Sequence, residues 1–68
     1  MTLETIRDVH NRVMGYIAMD DHGNGVARDA HMKLLGRYNA VQGVTYDSHN
    51  RLFGRSNQLA ALIYRAAD

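Results

Sequence analysis

The chain has 68 residues, of which 46% are hydrophobic and 22% charged, and its eight basic and seven acidic side chains give a formal net charge of +1. This composition is typical of a small globular domain rather than a disordered segment. Because cysteine is absent, disulfides and thiolate metal ligands are excluded. The longest apolar run, residues 59–64, is much shorter than the roughly 20 residues of a membrane span, and no basic N-terminal segment suggests a secretory signal. We therefore expect one cytoplasmic domain covering residues 1–68.

The small size of the chain predicts self-association. A single core in a chain below about 70–80 residues rarely supplies more than ~3–5 kcal/mol of stability. Without disulfides or an evident metal site, pairing with further copies is the remaining way to bury more apolar surface. We therefore expect a homodimer or larger assembly whose subunits share a core.

The first predicted element is a helix over residues 3–19. Thr2 can cap its N-terminus, and Glu4 lies in the first turn, where the helix dipole favours an acidic side chain. The helix is expected to end in the polar, glycine-containing segment 20–25. Its apolar residues recur at three- and four-residue steps, as on one side of a helix, at Leu3, Ile6, Val9, Val13, Met14 and Ile17.

Two further helices are predicted, over residues 26–42 and 47–66, because apolar side chains again recur at helical spacing. Residues 43–55 also have an alternative interpretation as a β-hairpin. The adjacent apolar residues Leu52 and Phe53 break the alternation of a strand, which favours the helix. The predicted fold is therefore all-α, a three-helix domain without internal repeats. The alternative is an α+β domain with a hairpin at residues 43–55.

Three of the four histidines, His10, His31 and His49, fall on the predicted apolar stripes. A zinc site needs three or four ligands that converge, whereas the predicted helices place His31 and His49 about ten residues, or ~15 Å, apart. We therefore predict no metal site and expect partly buried, neutral imidazoles. Because burial disfavours the charged imidazole, the assembly should then loosen between about pH 6.5 and 5.

Catalytic and calcium-binding patterns are incomplete. Residues 20–25 place acidic and amide side chains and a glycine as a calcium loop does, but His31 stands where that loop requires a bidentate glutamate. Asp47, Ser48 and His49 have the residue types of a catalytic triad, but consecutive residues cannot line up as acid, base and nucleophile. We predict that the protein is not an enzyme and that it binds no cofactor and no metal.

The remaining signal is an excess of arginine, tyrosine and methionine outside the predicted apolar stripes, and these residue types are enriched in protein interfaces. We expect a small protein-binding module that works as a homo-oligomer, such as an inhibitor, adaptor or regulator of the kind that mobile elements encode. The predicted partner-binding residues are Met32, Lys33, Arg37, Arg51, Arg55, Leu62 and Tyr64. The predicted self-association and core face consists of Ile6, Val9, His10, Val13, Ile17, His31, Leu34, Tyr38, Leu52, Leu59 and Ile63.

The alternative function is a nucleic-acid-binding regulator with a helix-turn-helix-like unit in residues 26–66. Basic residues at i,i+4 spacing line the edges of both predicted helices of this segment, and nearby amide and tyrosine side chains could contact bases. The pattern departs from the motif at Asn39, where a small residue is needed, and at His49, where an apolar one is needed. Binding that weakens steeply with salt would identify this alternative.

Overall fold

The computed structural model describes residues 1–67, which form an antiparallel sheet of six strands and one C-terminal helix. The strands lie in the sheet in chain order, so each hairpin connects two neighbours. The all-α prediction is therefore wrong. No helix in this part of the chain is long and apolar enough to cross a bilayer. The elements are β1 (Thr2–Arg7), β2 (Val13–Met19), β3 (Gly25–Asp29), β4 (Leu34–Asn39), β5 (Val44–Asp47), β6 (Leu52–Arg55) and α1 (Leu59–Ala67).

The predicted helix over residues 3–19 is instead the hairpin of β1 and β2. Its apparent helical spacing arises because the apolar residues of two strands are counted across a turn. Val9, placed on the predicted stripe, lies at the turn and is 96% exposed, whereas Ile6 and Ile17 are buried on one face of the sheet. Asn11 adopts a left-handed φ of 65°, which asparagine tolerates better than most residues. Local turn chemistry thus outweighs the periodicity.

The other two predicted helices fail in the same way, except at the C-terminus. Residues 26–42 form most of β3, all of β4 and part of the following turn. The alternative hairpin within residues 43–55 is present as β5 and β6, and only the end of the predicted helix 47–66 is helical, as α1. The side-chain Oδ1 of Asn57 accepts the N–H of Leu59 at 3.0 Å, and this bond caps the start of α1.

The core lies between α1 and one face of the sheet, here called the covered face. Leu59, Leu62 and Ile63 of α1 are buried and pack toward small residues at the centre of the sheet. A Cβ on Gly15 would lie 3.0 Å from Ile63 Cγ2, and a Cβ on Gly36 would lie 2.5 Å from Leu62 Cδ1. Glycine in these strand interiors therefore allows the helix to approach the backbone closely.

Four of the hairpin loops within residues 1–67 repeat one motif, Asp-x-His, so the prediction that the chain has no internal repeat is also wrong. In each loop, Oδ1 of the aspartate accepts the N–H groups of the residues two and four positions later. The residue at the fourth loop position has a positive φ. The loops begin at Asp8, Asp20, Asp29 and Asp47, and a small residue follows seven positions later in every case, at Gly15, Ala27, Gly36 and Gly54.

Candidate binding surface

Within residues 1–67, no element covers the sheet face opposite α1, and we call it the open face. Successive side chains of a strand point to opposite faces of the sheet. The residues that directly precede and follow buried Ile6 and Ile17 in sequence therefore point away from the helix. The strand register aligns them in cross-strand rows. One row contains Leu3, Ala18, Val26, Arg37, Tyr46 and Leu52, and a second contains Thr5, Tyr16, Arg28 and Leu34. Further residues of the open face are Arg7, Asn39, Val44 and Arg55.

The strand residues on the open face carry positive charge only. Its arginines are Arg7, Arg28, Arg37 and Arg55. The acidic residues of the described strands lie on the covered face, because each is directly opposite a residue of that face on the neighbouring strand. The register pairs are Glu4 with Ile17, Asp29 with Gly15, and Asp47 with Gly36.

The arginines of the open face differ from those of the loops in their partners. Arg12 Nε lies 3.2 Å from a carboxylate oxygen of Asp8, and Arg51 forms the equivalent pair with its loop aspartate at 3.9 Å. Within residues 1–67, no arginine of the open face forms an ion pair with a carboxylate. The positive charge of this face is therefore uncompensated by the chain that the structure describes.

Neutral groups position three of these guanidinium groups. Arg7 Nη1 donates to the backbone carbonyl of Asn11 at 3.0 Å, and Arg28 Nη1 donates to the equivalent loop carbonyl, that of Met32, at 3.1 Å. Arg37 donates to the side chain of Asn50, and its guanidinium carbon lies 5.1 Å from the centre of the Tyr46 ring. Such contacts hold the side chain but leave its charge free for an anionic partner.

A trough of about 390 Å³ lies at one end of the open face. The side chains of Ala18 and Val26 form an apolar floor, and Arg37 and Asn39 supply polar groups at one side. The trough also includes Met1 and Val41, which are 87% and 93% exposed. Its volume is within the range of ligand and anchor pockets in proteins. The remaining lining residues are Met19, Asp20, Asn24, Gly25 and Tyr38.

The structure disperses the predicted self-association face. Ile6, Ile17, Leu59 and Ile63 are core residues, Leu34 and Leu52 lie on the open face, and Val9, His10 and His31 lie exposed in loops. Tyr38 packs against the core from the covered face, and Val13 is half-buried at the start of β2.

The predicted partner-binding residues are also divided. Arg37 and Arg55 lie on the open face, whereas Leu62 is buried between α1, to which it belongs, and the covered face. Met32, Lys33 and Arg51 are exposed in Asp-x-His loops, and Tyr64 is exposed on α1. Sequence reasoning missed Arg7, Tyr16, Arg28 and the trough, because a helical interpretation cannot place them on one surface. The repeated Asp-x-His turn was the signal that could have revealed the strands.

The histidines do not occupy apolar stripes. His10, His31 and His49 are exposed in loops at one end of the sheet, and His22 is exposed in a loop at the other end. The expectation of partly buried imidazoles is therefore wrong. Among residues 1–67, no three His, Cys, Asp or Glu side chains are grouped so that they could hold a metal ion.

The loop aspartates have lowered pKa values. For Asp8, Asp29 and Asp47, the N–H four residues later is the largest cause, and the N–H two residues later adds to it. At Asp20, desolvation raises the pKa, but the N–H groups of His22 and Asn24 outweigh it, so that this pKa is also lowered. These carboxylates are stabilised as anions by their own loops.

Comparison with protein-family models, with curated proteins and with solved structures gave no match for this chain. The geometry and chemistry of the open face therefore carry the functional interpretation.

Proposed function

We propose that this protein is a non-enzymatic binding module that engages another protein through its open face. The observation that carries the proposal is a complete sheet face that no element of residues 1–67 covers and on which arginines alternate with aliphatic and tyrosine side chains. Arginine and tyrosine at the centre of an exposed apolar surface are characteristic of protein interfaces.

The exposed area of the chain supports a missing partner. Folded monomers of 7.7 kDa expose about 4,300 Å² by the usual scaling of area with mass, whereas this chain exposes 4741 Å². The open face contributes Leu3 and Leu52, which are 67% and 62% exposed. A partner on this face would bury both side chains and bring the exposed area closer to that of an ordinary domain.

Self-association forms part of the proposal, through a different surface. Two open faces packed against each other would oppose their arginines, which is unfavourable at close range. The free edge of β1 offers unpaired backbone groups and contains no proline, so its backbone can pair with another strand. Pairing of β1 edges from two copies would extend the sheet and leave both open faces accessible.

Nucleic-acid binding remains the second candidate, with a changed geometry. The helix-turn-helix-like unit of residues 26–66 is contradicted, because most of that segment is strand. Four arginines and two tyrosines on one sheet face are the observation that favours it, since sheets with such residues bind single strands by stacking and phosphate contacts.

Site-specific photo-crosslinking in the native host tests the proposal. A benzoylphenylalanine at Leu52 places the crosslinker on the open face, and one at Ala66, exposed on α1, is the matched control on the other side of the sheet. We expect one dominant protein adduct from position 52 and none from position 66. Loss of that adduct in the double variant Arg28→Gln, Arg37→Gln would link it to the charged surface. Adducts of equal yield from both positions would contradict the proposal.

A further inference from the structure

We propose that the partner contributes an extended acidic segment to the open face, with an aliphatic side chain in the trough and a neighbouring carboxylate on Arg37. This inference rests on the proposed function and specifies the chemistry of the partner. It combines two independent features of the surface, namely the apolar floor beside Met1 and Val41 and the uncompensated positive charge next to it.

The apolar half of the site is the trough floor. Ala18 and Val26 are directly opposite each other on neighbouring strands, and both are small, so the surface dips between Met1 and Val41. These two rim residues are exposed apolar side chains that an inserted aliphatic group would contact. Removing such apolar surface from water is favourable.

The charged half lies one strand away. Arg37 is directly opposite Val26, and neighbouring strands are about 4.8 Å apart. Arg28 follows two residues after Val26 on the same face and belongs to the row next to that of Arg37, beyond the register shift between Ala27 and Arg28. A segment that inserts an apolar side chain into the trough can therefore present its adjacent carboxylates to two guanidinium groups, which bind carboxylates in bidentate geometry.

Charge complementarity favours this occupant over a second copy of the chain. In a second copy, the acidic strand residues lie on the covered face and the loop aspartates lie at the ends of the sheet, so its open face brings no acidic group to this one. A second open face would bring four more arginines. We therefore expect the acidic groups to come from a different molecule.

The same surface favours a peptide over a nucleic acid. Arg37 lies over the Tyr46 ring, which occupies a face that a base would need for stacking. The trough floor of Ala18 and Val26 is aliphatic and therefore matches an aliphatic side chain better than a base or a sugar. A single-stranded oligonucleotide is therefore the competing probe in the test.

Fluorescence anisotropy with defined probes tests the inference. The first probe is a labelled peptide of three Glu-Leu-Gly-Ser units, the second has serine in place of each leucine, and the third is single-stranded oligothymidylate of equal charge. We expect the leucine peptide to bind at least about tenfold more tightly than the serine peptide and the oligonucleotide. Equal binding of the two peptides, or tighter binding of the oligonucleotide, would overturn the inference.

Variants with matched charge changes locate the site. The double variant Arg28→Gln, Arg37→Gln should weaken binding of the leucine peptide at least about tenfold. Arg12→Gln, Arg65→Gln removes the same charge away from the open face and should change binding less than about twofold. Equal losses in the two double variants would contradict the assignment.

A third variant, Ala18→Leu, fills the trough and should reduce binding of the leucine peptide toward that of the serine peptide, while circular dichroism reports the fold. Unchanged binding would contradict the trough assignment. If the Leu52 crosslink forms but the leucine peptide does not bind, the proposed function stands and the acidic segment is overturned. If the crosslink also fails, both are overturned.

Discussion

Leu62 occupies the space that a side chain at Gly36 would need. Its Cδ1 lies 2.5 Å from the position of a Cβ on Gly36, and the backbone carbonyl of Tyr46 lies closer still. The contact between α1 and the middle of the sheet therefore depends on the absence of a side chain at this position, in one of the four repeats that place a small residue seven positions after the aspartate.

Gly36→Ala should lower the free energy of unfolding by about 1–3 kcal/mol, because an extra methyl group is forced into a packed contact. Gly43→Ala is the matched control, since no atom lies within 4 Å of its new Cβ and only its φ of 69° is unfavourable, at a cost of about 1 kcal/mol. Urea unfolding measures both. If the free energy of unfolding falls no more at position 36 than at position 43, both α1 and the β5 backbone at Tyr46 can move away without cost.

Thr45→Val should destabilise the junction between β6 and α1. The buried Thr45 hydroxyl donates to the Ser56 carbonyl at 2.8 Å and accepts the Gln58 N–H at 2.9 Å. Valine has the same shape but leaves both backbone groups without these bonds, which should cost about 1–3 kcal/mol. The exposed Thr5→Val is the control and should change stability by no more than about 0.5 kcal/mol. Equal effects in urea unfolding would mean that solvent replaces both bonds.

Acid should destabilise the fold below about pH 4 through the loop aspartates. Their pKa values are lowered in the folded protein, so the unfolded chain binds more protons as the pH falls. The stabilisation is therefore complete above the unfolded pKa near 3.9 and is lost as the pH falls through the folded values. Thermal melts at pH 7.5, 5.5 and 3 should show the loss only at pH 3.

Variants separate aspartate from histidine effects in these melts. Asp47→Asn removes the charge but retains an acceptor oxygen, so it should reduce the loss of melting temperature at pH 3 while changing the melting temperature at pH 7.5 little. Asp47→Ala removes the charge and the acceptor, so it should reduce the loss at pH 3 and also lower the melting temperature at pH 7.5. His10→Gln and His31→Gln, at exposed positions, should change stability by no more than about 0.5 kcal/mol. The contrary result would be a melting temperature that falls between pH 7.5 and 5.5 in the parent but not in one of the histidine variants. That result would show that protonation of this histidine destabilises the fold, as the sequence led us to expect.

Light scattering should give a mass above that of the 7.7 kDa chain at micromolar concentration, with a melting temperature that rises with concentration. The double variant Arg28→Gln, Arg37→Gln should leave this mass unchanged, because the proposed contact is the β1 edge. A cooperatively folded monomer would contradict self-association. A change of oligomeric state in the double variant would move the contact to the open face.

Several features followed from the sequence alone because they depend on neighbouring residues. The sequence identifies the polar segment 20–25 as a break between elements and offers the hairpin of residues 43–55 as the alternative to a helix. The helix that it predicts over residues 47–66 overlaps α1 except at Ala67. The first two helices were wrong because apolar residues of paired strands, counted through a five-residue loop, recur at three- and four-residue steps. The unequal spacing of the Asp-x-His loops also hid them from a search for a fixed period.

The binding surface was decided by the tertiary structure. Arg28 and Arg37 are nine positions apart in the chain, and only the register of β3 and β4 places them on one face with Val26 and without an acidic neighbour. Whether a side chain faces the helix or the open side depends on strand parity and on the bulges between paired strands. The sequence by itself determined where turns can form, because turn formation depends on neighbouring residues. Long-range strand pairing determined which charged side chains share one exposed face, because hydrogen bonds between distant segments fix the register.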